Sequence, residues 1–190
     1  ALTSMFIANE TAARNVYAFD LWIPASENYA RIKENNLEEK IIPIHGDAMD
    51  MPFAKEYFDA IVSVDSYHYF GCKKGVFAEK ILPFVKKNGY VMIAIPGLKE
   101  EPKGQLKDLF CEWAEGDDSE LFKTKDWWKN LIQEECGDSC EVIAQEASCY
   151  DIAWQEWFES GHPFGKRDKE YLDKGLYDIL NFVLLYIKKK

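Results

Sequence analysis

The stretch VYAFDLW, Val16–Trp22, is a short apolar run with an acid inside it. Val16 to Phe19 is typical of a buried β-strand, and Asp20 is the first charged residue after it. A carboxylate at a strand tip can cap the next helix, face solvent or bind a ligand. The stretch alone leaves these three alternatives open.

The residues around this stretch alternate between strand and helix patterns. Strands are predicted at Val16–Phe19, Ile41–His45, Phe58–Val64 and Tyr90–Ile95, and helices at Leu2–Glu10, Ser26–Asn35 and about Gly75–Val85, the last closed by a turn at Lys86–Gly89. Short, nearly continuous apolar strands separated by helices are typical of a parallel sheet covered on both faces.

The last third of the chain has a different pattern. Residues from about Leu98 to Gln133 are polar, helical and rich in tryptophan, and two more strand patterns follow at Glu141–Ala147 and Asn181–Lys188. A hairpin-like pair of strands after a parallel run predicts an antiparallel edge. We therefore expect a doubly wound α/β fold with a mostly parallel sheet, an antiparallel edge strand and a helical insertion.

The composition narrows the classes of function. The 190 residues carry 23 Lys and Arg against 33 Asp and Glu, a net charge of −10 that repels nucleic acid. No apolar run is long enough to span a bilayer, and the first residues do not resemble a signal peptide. Five cysteines without a dense framework favour a cytoplasmic location. Cys136 and Cys140 lack a second ligand pair at zinc spacing, so no metal site is predicted.

Acids follow three of the predicted strands. Asp20, Asp47 and Asp65 each lie at a carboxyl end, where open parallel sheets bind ligands. A carboxylate at the second strand of such a unit can accept hydrogen bonds from both hydroxyls of a ribose. Asp59 begins its strand and therefore belongs to the opposite edge, so we interpret it as structural.

Over about residues 1–96 the chain resembles the class I S-adenosylmethionine-dependent methyltransferases. The resemblance rests on five motifs in order: ALTSMFIA, VYAFD, GDAMDMPF, FDAIVSVDSYHYF and LPFVKKNGYVMIAIPG. It implies a Rossmann-like cofactor-binding part at 1–97, a helical lid over the substrate at 98–140 and a C-terminal part at 141–190 that completes the sheet. It also implies S-adenosylmethionine as cofactor, S-adenosylhomocysteine as product, a small-molecule acceptor and, as an open alternative, a homodimer.

The resemblance also implies the residues of the cofactor site. Asp20 would bind the ribose, Asp47 and the backbone of Ala48 the adenine, and Val64 and Asp65 would line the sulfonium end. The remaining expected contacts are Ala1, Leu2, Leu21 and Met49.

One motif of this family has no counterpart in the sequence. The family begins with a strand and a glycine-rich loop, and Ala1 stands where that loop would finish. The strand would lie between those ending at Asp20 and Asp65. We expect an N-terminal segment or, as the alternative, another chain to supply it.

The reactive end is expected after the strand at Phe58–Val64. His68, with Tyr67 beside it, is the candidate base that removes a proton from the acceptor, because an imidazole titrates near neutral pH. The alternatives for His68 are a cavity wall and a structural role. The tryptophans at 113, 127, 128, 154 and 157 could enclose the acceptor, or form the core of a helical lobe.

Two other functions stay open at this level. An acid after the second strand also serves the ribose of NAD, so a dinucleotide-dependent oxidoreductase is one alternative. A relative that binds the cofactor without turnover is the other. The sequence does not identify the acceptor.

Overall fold

The computed structural model describes residues 1–190, apart from the side chain of Asp117. Contacts divide the chain into two compact units, residues 1–54 and 55–190. The strands are β1 (Val16–Asp20), β2 (Ile41–His45), β3 (Phe58–Val64), β4 (Val85–Leu98), β5 (Cys140–Glu146) and β6 (Leu180–Lys189). The helices are α1 (Leu2–Glu10), α2 (Ala25–Glu34), α3 (His68–Gly71), α4 (Gln105–Trp113), α5 (Lys125–Cys136), α6 (Tyr150–Glu159), α7 (Pro163–Tyr171) and α8 (Tyr177–Ile179). None of these helices is long and apolar enough to cross a membrane.

The first unit is a two-stranded parallel sheet covered by helices. β1 and β2 pair in register, with Val16 opposite Ile41 and Asp20 opposite His45. Because side chains alternate along a strand, Val16 and Ala18 point into one core. That core consists of Ala8, Val16, Ala18, Ile32 and Ile41.

The second unit contains a four-stranded sheet in the order β3-β4-β6-β5. β3 and β4 are parallel, and β6 runs antiparallel to both β4 and β5. The predicted antiparallel pair therefore closes one side of the sheet. Of these two strands, only β6 runs opposite to β3 and β4. β5 runs in the same direction as β3 and β4 and forms the edge of the sheet.

β4 begins earlier than the sequence pattern predicted. The expected helix at Gly75–Val85 is present as a wide turn at Phe77–Ile81 followed by a tighter turn at Leu82–Phe84. Pro83 explains the change between the two turns, because proline cannot donate the hydrogen bond that continues a helix. The expected turn at Lys86–Gly89 is an irregularity inside β4, where the pairing with β3 changes register.

The helical lobe differs from the predicted lid at 98–140. α5 packs against β5 and the sheet, whereas α4 packs with helices from residues 150–179. Their shared core consists of Leu98, Phe110, Ala114, Tyr150, Trp154, Leu172, Leu176, Ile179 and Leu180. The lobe therefore combines two segments that are separated in sequence by α5 and β5, and Trp128 on α5 belongs to the sheet side.

Two strands have an open edge within the described residues. β1 pairs only with β2, and β3 pairs only with β4. An open edge leaves backbone N–H and C=O groups without ladder partners. The expectation of a further strand next to them stays a prediction.

Candidate active site

Asp20 is fixed by the loop that follows β1. Its Oδ1 accepts hydrogen bonds from the backbone N–H groups of Trp22 and Ile23, both at 2.9 Å. Partial burial alone would raise the pKa of this carboxyl group, but the hydrogen bonds from Ile23, Trp22 and the nearby Asn28 outweigh it and lower the pKa. Asp20 is therefore ionised at neutral pH and stabilises a turn instead of capping α2.

Asn28 on α2 adds a polar group near Asp20. Its side chain is buried, and its Oδ1 accepts a hydrogen bond from the amino group of Ala1 at 3.0 Å. Its Nδ2 has no hydrogen-bond partner of normal geometry, although it lies near enough to Asp20 to help lower the pKa of that carboxyl group. A carboxylate with one oxygen already fixed and an amide donor without a partner suit the two hydroxyls of a ribose. No motif in the sequence marked Asn28.

The turn after β2 lies close to the end of β1. Gly46 donates its backbone N–H to the carbonyl of Asp20 at 2.9 Å, and a Cβ at Gly46 would lie 2.7 Å from the ring of Phe19. Asp47 Oδ1 accepts a hydrogen bond from the backbone N–H of Met49 at 2.8 Å. The structure thus brings Asp20, Asp47, Ala48 and Met49 to one end of the first sheet. Leu2 and Leu21 are exposed in the same unit.

Val64 and Asp65 lie at the carboxyl end of β3 in the second unit. Asp65 donates its backbone N–H to the carbonyl of Ala94 at 2.8 Å and has a positive φ of 51°. No described group donates a hydrogen bond to its carboxylate. The side chain still meets solvent, but the protein around it removes enough water to raise the pKa of the carboxyl group.

His68 lies at the start of α3 and is 2% exposed. Its Nδ1 is buried without a hydrogen-bond partner, and its ring centre lies 4.1 Å from that of Tyr69. Burial lowers the pKa of His68 to about 4, although the charge of Asp118 opposes the change. The imidazole is therefore neutral at pH 7.

Tyr67 has a different environment from its neighbour. It is 1% exposed, and its ring packs against Phe70 and Trp128 with centres 5.2 and 5.6 Å away. Burial raises the pKa of its phenol strongly. Tyr67 lines neither cavity of the second unit. We therefore assign it to packing and do not retain it beside His68 as a catalytic candidate.

Two cavities lie beside His68. The larger, about 200 Å³, is bounded by the ends of β3, β4 and β6 and by the lobe. Its lining is Asp65, His68, Tyr69, Pro96, Trp113, Phe122, Trp154, Leu180, Asn181 and Phe182. The smaller, about 170 Å³, shares four of these residues and adds Ala114, Glu115, Asp118, Leu121, Arg167 and Asp168.

The cavity wall at Trp113 is held by α7. Asp168 accepts hydrogen bonds from the indole N–H groups of Trp113 and Trp157, both at 2.8 Å. Arg167 donates to the carbonyl of Trp113 at 2.7 Å and forms an ion pair with Glu115 at 3.0 Å. Sequence reasoning missed Asp168 and Arg167, because α7 carries no motif and its neighbours in space are far away in the chain.

Comparison with known proteins agrees with this architecture. Residues 3–93 match the methyltransferase domain family. No curated protein sequence matches the chain. The oxidoreductase alternative receives no support from these comparisons.

Several solved structures share the fold at low sequence identity. A geranyl diphosphate methyltransferase in complex with S-adenosylmethionine is 13% identical, with a TM-score of 0.74 over 98% of this chain and 73% of that one. Phosphoethanolamine N-methyltransferase 2 of Haemonchus contortus, in complex with phosphomonomethylethanolamine and S-adenosylhomocysteine, is 16% identical, with a TM-score of 0.72 over 98% of this chain and 46% of that one. The [4+2]-cyclase SpnF is 14% identical, with a TM-score of 0.65 over 99% and 80%. The family match over residues 3–93 and the shared fold agree with the resemblance to the class I S-adenosylmethionine-dependent methyltransferases.

Proposed function

We propose that this enzyme methylates a small-molecule acceptor that binds in the larger cavity of the second unit. The observation that carries the proposal is the position of that cavity at the carboxyl ends of β3 and β4, next to Asp65 and His68. Open α/β sheets bind their ligands at this edge. A volume of about 200 Å³ suits a small ring or a short chain.

The residues of the first unit fit the nucleoside part of S-adenosylmethionine. Asp20 would accept and Asn28 would donate hydrogen bonds to the ribose hydroxyls, while the turn at Asp47 and Ala48 would meet the adenine. When bound, the cofactor supplies a methyl group on a sulfonium. The roles of Val64 and Asp65 at the sulfonium end, and of Ala1, Leu2, Leu21 and Met49 as contacts, stay predictions.

The chain mainly supplies position. The reacting group needs little activation, because the sulfur leaves as a neutral thioether, so alignment of the acceptor is the main contribution. His68, neutral at pH 7, can accept a hydrogen bond from the acceptor and orient it.

A cytoplasmic location is part of the proposal. All five cysteines are free thiols, which suits a reducing compartment. The acidic net charge of −10 likewise favours a small molecule over nucleic acid as the substrate.

The cofactor site is tested by replacing Asp20. We expect Asp20→Ala to weaken the binding of S-adenosylhomocysteine by about 1–3 kcal/mol, because the ribose hydroxyls lose a charged acceptor. Isothermal titration calorimetry measures the change, and Glu39→Ala, at an exposed acid of the same unit, is the matched control. Unchanged affinity in a folded Asp20→Ala protein would refute the assignment.

Turnover is tested with methyl-labelled S-adenosylmethionine and a cell extract of small molecules. We expect the label to appear in one or a few compounds of low mass. Binding of S-adenosylhomocysteine without any transfer of label to a small molecule would contradict the proposal and favour a relative that binds the cofactor without turnover.

A further inference from the structure

The larger cavity has aromatic walls on several sides. Trp154 and Phe182 are stacked with their ring centres 5.9 Å apart, and Trp113 and Phe122 meet edge to face at 5.4 Å. All four side chains line the cavity. The faces of such rings carry negative electrostatic potential, so they attract cations and also pack well against another ring.

The charges around the two cavities are predominantly negative. Four carboxylates line them, from Asp65, Glu115, Asp118 and Asp168, against the single cation Arg167. Arg167 is already paired with Glu115, and Asp168 is held by two indole N–H groups. Among the described residues, Asp65 and Asp118 have no cationic partner.

Buried polar groups that line the larger cavity also lack hydrogen-bond partners: besides the indole N–H of Trp154, they are the amide of Asn181 and the Nδ1 of His68. Asn181, on β6, lines the larger cavity and is 3% exposed, and neither atom of its amide makes a hydrogen bond of normal geometry. Asn181 lies near enough to Glu146 to help lower the pKa of that carboxyl group, but the contact does not have the geometry of a normal hydrogen bond to the amide. The Nδ1 of His68 is buried and unpaired as well. Buried polar groups are normally hydrogen-bonded, so these groups point to a polar ligand.

We propose that the acceptor is an amine that binds as a cation, with its nitrogen beside Asp65 and an attached apolar ring between the aromatic walls. This deepens the proposed function, on which it rests. An acceptor carrying a carboxylate or phosphate would instead meet Asp65 and Asp118 with no free cation to compensate, and such an arrangement is electrostatically unfavourable.

The reaction of an amine balances without another reactant. The bound ammonium first releases one proton to the solvent, to which Asp65 is exposed, and this frees the nitrogen lone pair while Asp65 stays a carboxylate. The lone pair forms the new N–C bond as the methyl C–S bond breaks, and the electrons of that bond stay on sulfur. The products are S-adenosylhomocysteine and an N-methylated ammonium, whose charge the carboxylate of Asp65 again balances.

Three probes of similar size test the charge preference: benzylamine, benzyl alcohol and benzoate. Their binding is measured by tryptophan fluorescence, because Trp113 and Trp154 line the cavity. We expect benzylamine to bind at least about tenfold more tightly than the other two, as a charge-assisted contact would give. Equal binding of the three probes, tighter binding of benzoate or benzyl alcohol, or no binding of benzylamine at millimolar concentration would overturn the proposal.

A variant identifies the residue responsible. Asp65→Asn keeps the shape and removes the charge, so we expect about a tenfold loss of benzylamine affinity with little change for benzyl alcohol. Asp138→Asn, the same change at an exposed carboxylate, should leave all three affinities unaltered. An Asp65→Asn protein that binds benzylamine like the wild type would exclude Asp65 as the partner.

The two proposals fail in different ways. Binding of S-adenosylhomocysteine with methyl transfer to a neutral or acidic compound would overturn the amine inference and leave the proposed function standing. Binding of benzylamine without binding of S-adenosylhomocysteine would overturn the proposed function and leave the cavity chemistry standing.

Discussion

The buried imidazole of His68 makes the stability of the second unit depend on pH. An unfolded chain binds a proton at this histidine near its ordinary pKa of 6.5, whereas in the fold the pKa is lowered to about 4, mainly by burial. Above both values His68 is neutral in either state and has no effect. As the pH falls below 6.5, only the unfolded state gains the proton, so stability is lost until the pH reaches about 4.

The size of this effect follows from the difference between the two pKa values. Each pH unit below the ordinary value costs about 1.4 kcal/mol, so lowering the pH to 5 should cost about 2 kcal/mol. The full loss near pH 4 would be about 3 kcal/mol. His68 is 2% exposed, so solvent screening reduces this figure little.

The assay is urea unfolding followed by tryptophan fluorescence at pH 7.5 and pH 5. Five of the six tryptophans belong to residues 55–190, so the signal reports the second unit. His68→Phe keeps an aromatic ring but cannot take up a proton. We expect the stability lost between the two pH values to be about 2 kcal/mol smaller in this variant than in the wild type.

The comparison uses pH dependence, so any constant effect of the substitution on packing cancels. His45→Phe, the same change at an exposed histidine, should retain the pH dependence of the wild type. If His68→Phe loses as much stability as the wild type between pH 7.5 and pH 5, the imidazole is not held neutral by burial and the reasoning is wrong.

Two further predictions concern the lobe and the sheet. Asp168→Ala should destabilise the protein by about 2–4 kcal/mol, because the indole N–H groups of Trp113 and Trp157 lose a charged acceptor, and it should weaken acceptor binding. Asp173→Ala, at an exposed carboxylate that pairs with Lys169, should cost below about 1 kcal/mol in the same urea unfolding experiment. Equal losses in the two variants would contradict the role of Asp168. Gly97→Ala should destabilise by about 1–3 kcal/mol, because a Cβ there would lie 2.5 Å from a methyl of Val183 and 2.7 Å from the carbonyl of Lys123; a thermal midpoint equal to that of the wild type would show that the strand end can move apart.

The strands were predictable because their signal is local. Val16–Asp20, Ile41–His45 and Phe58–Val64 are apolar runs whose ends are marked by polar residues, and the structure gives them the predicted bounds to within one residue. The helix expected at Gly75–Val85 is present as helical turns at Phe77–Ile81 and Leu82–Phe84, and the sequence pattern missed only that these turns are not a regular α-helix.

The candidate site was predictable only in part. The acids after β1, β2 and β3 could be located from sequence, because each follows an apolar strand pattern within two residues. The sequence could not show that Oδ1 of Asp20 is already used by the following turn, or that Asn28 lies beside it. It also could not separate Tyr67, which packs in the core, from His68, which lines the cavities.

The sequence by itself determined the order of strands and helices, the acids at the strand ends and the resemblance to a family, because all three depend on short contiguous patterns. Only the tertiary structure decided which side chains enclose the acceptor cavity. Trp113, Trp154 and Asn181 line it from α4, α6 and β6, and Asp168 on α7 holds Trp113 by a hydrogen bond. The helices meet because the lobe buries its apolar surface against itself across the interruption by α5 and β5. The low pKa of His68 has the same origin, since neighbours distant in sequence remove the water that would stabilise its charged form.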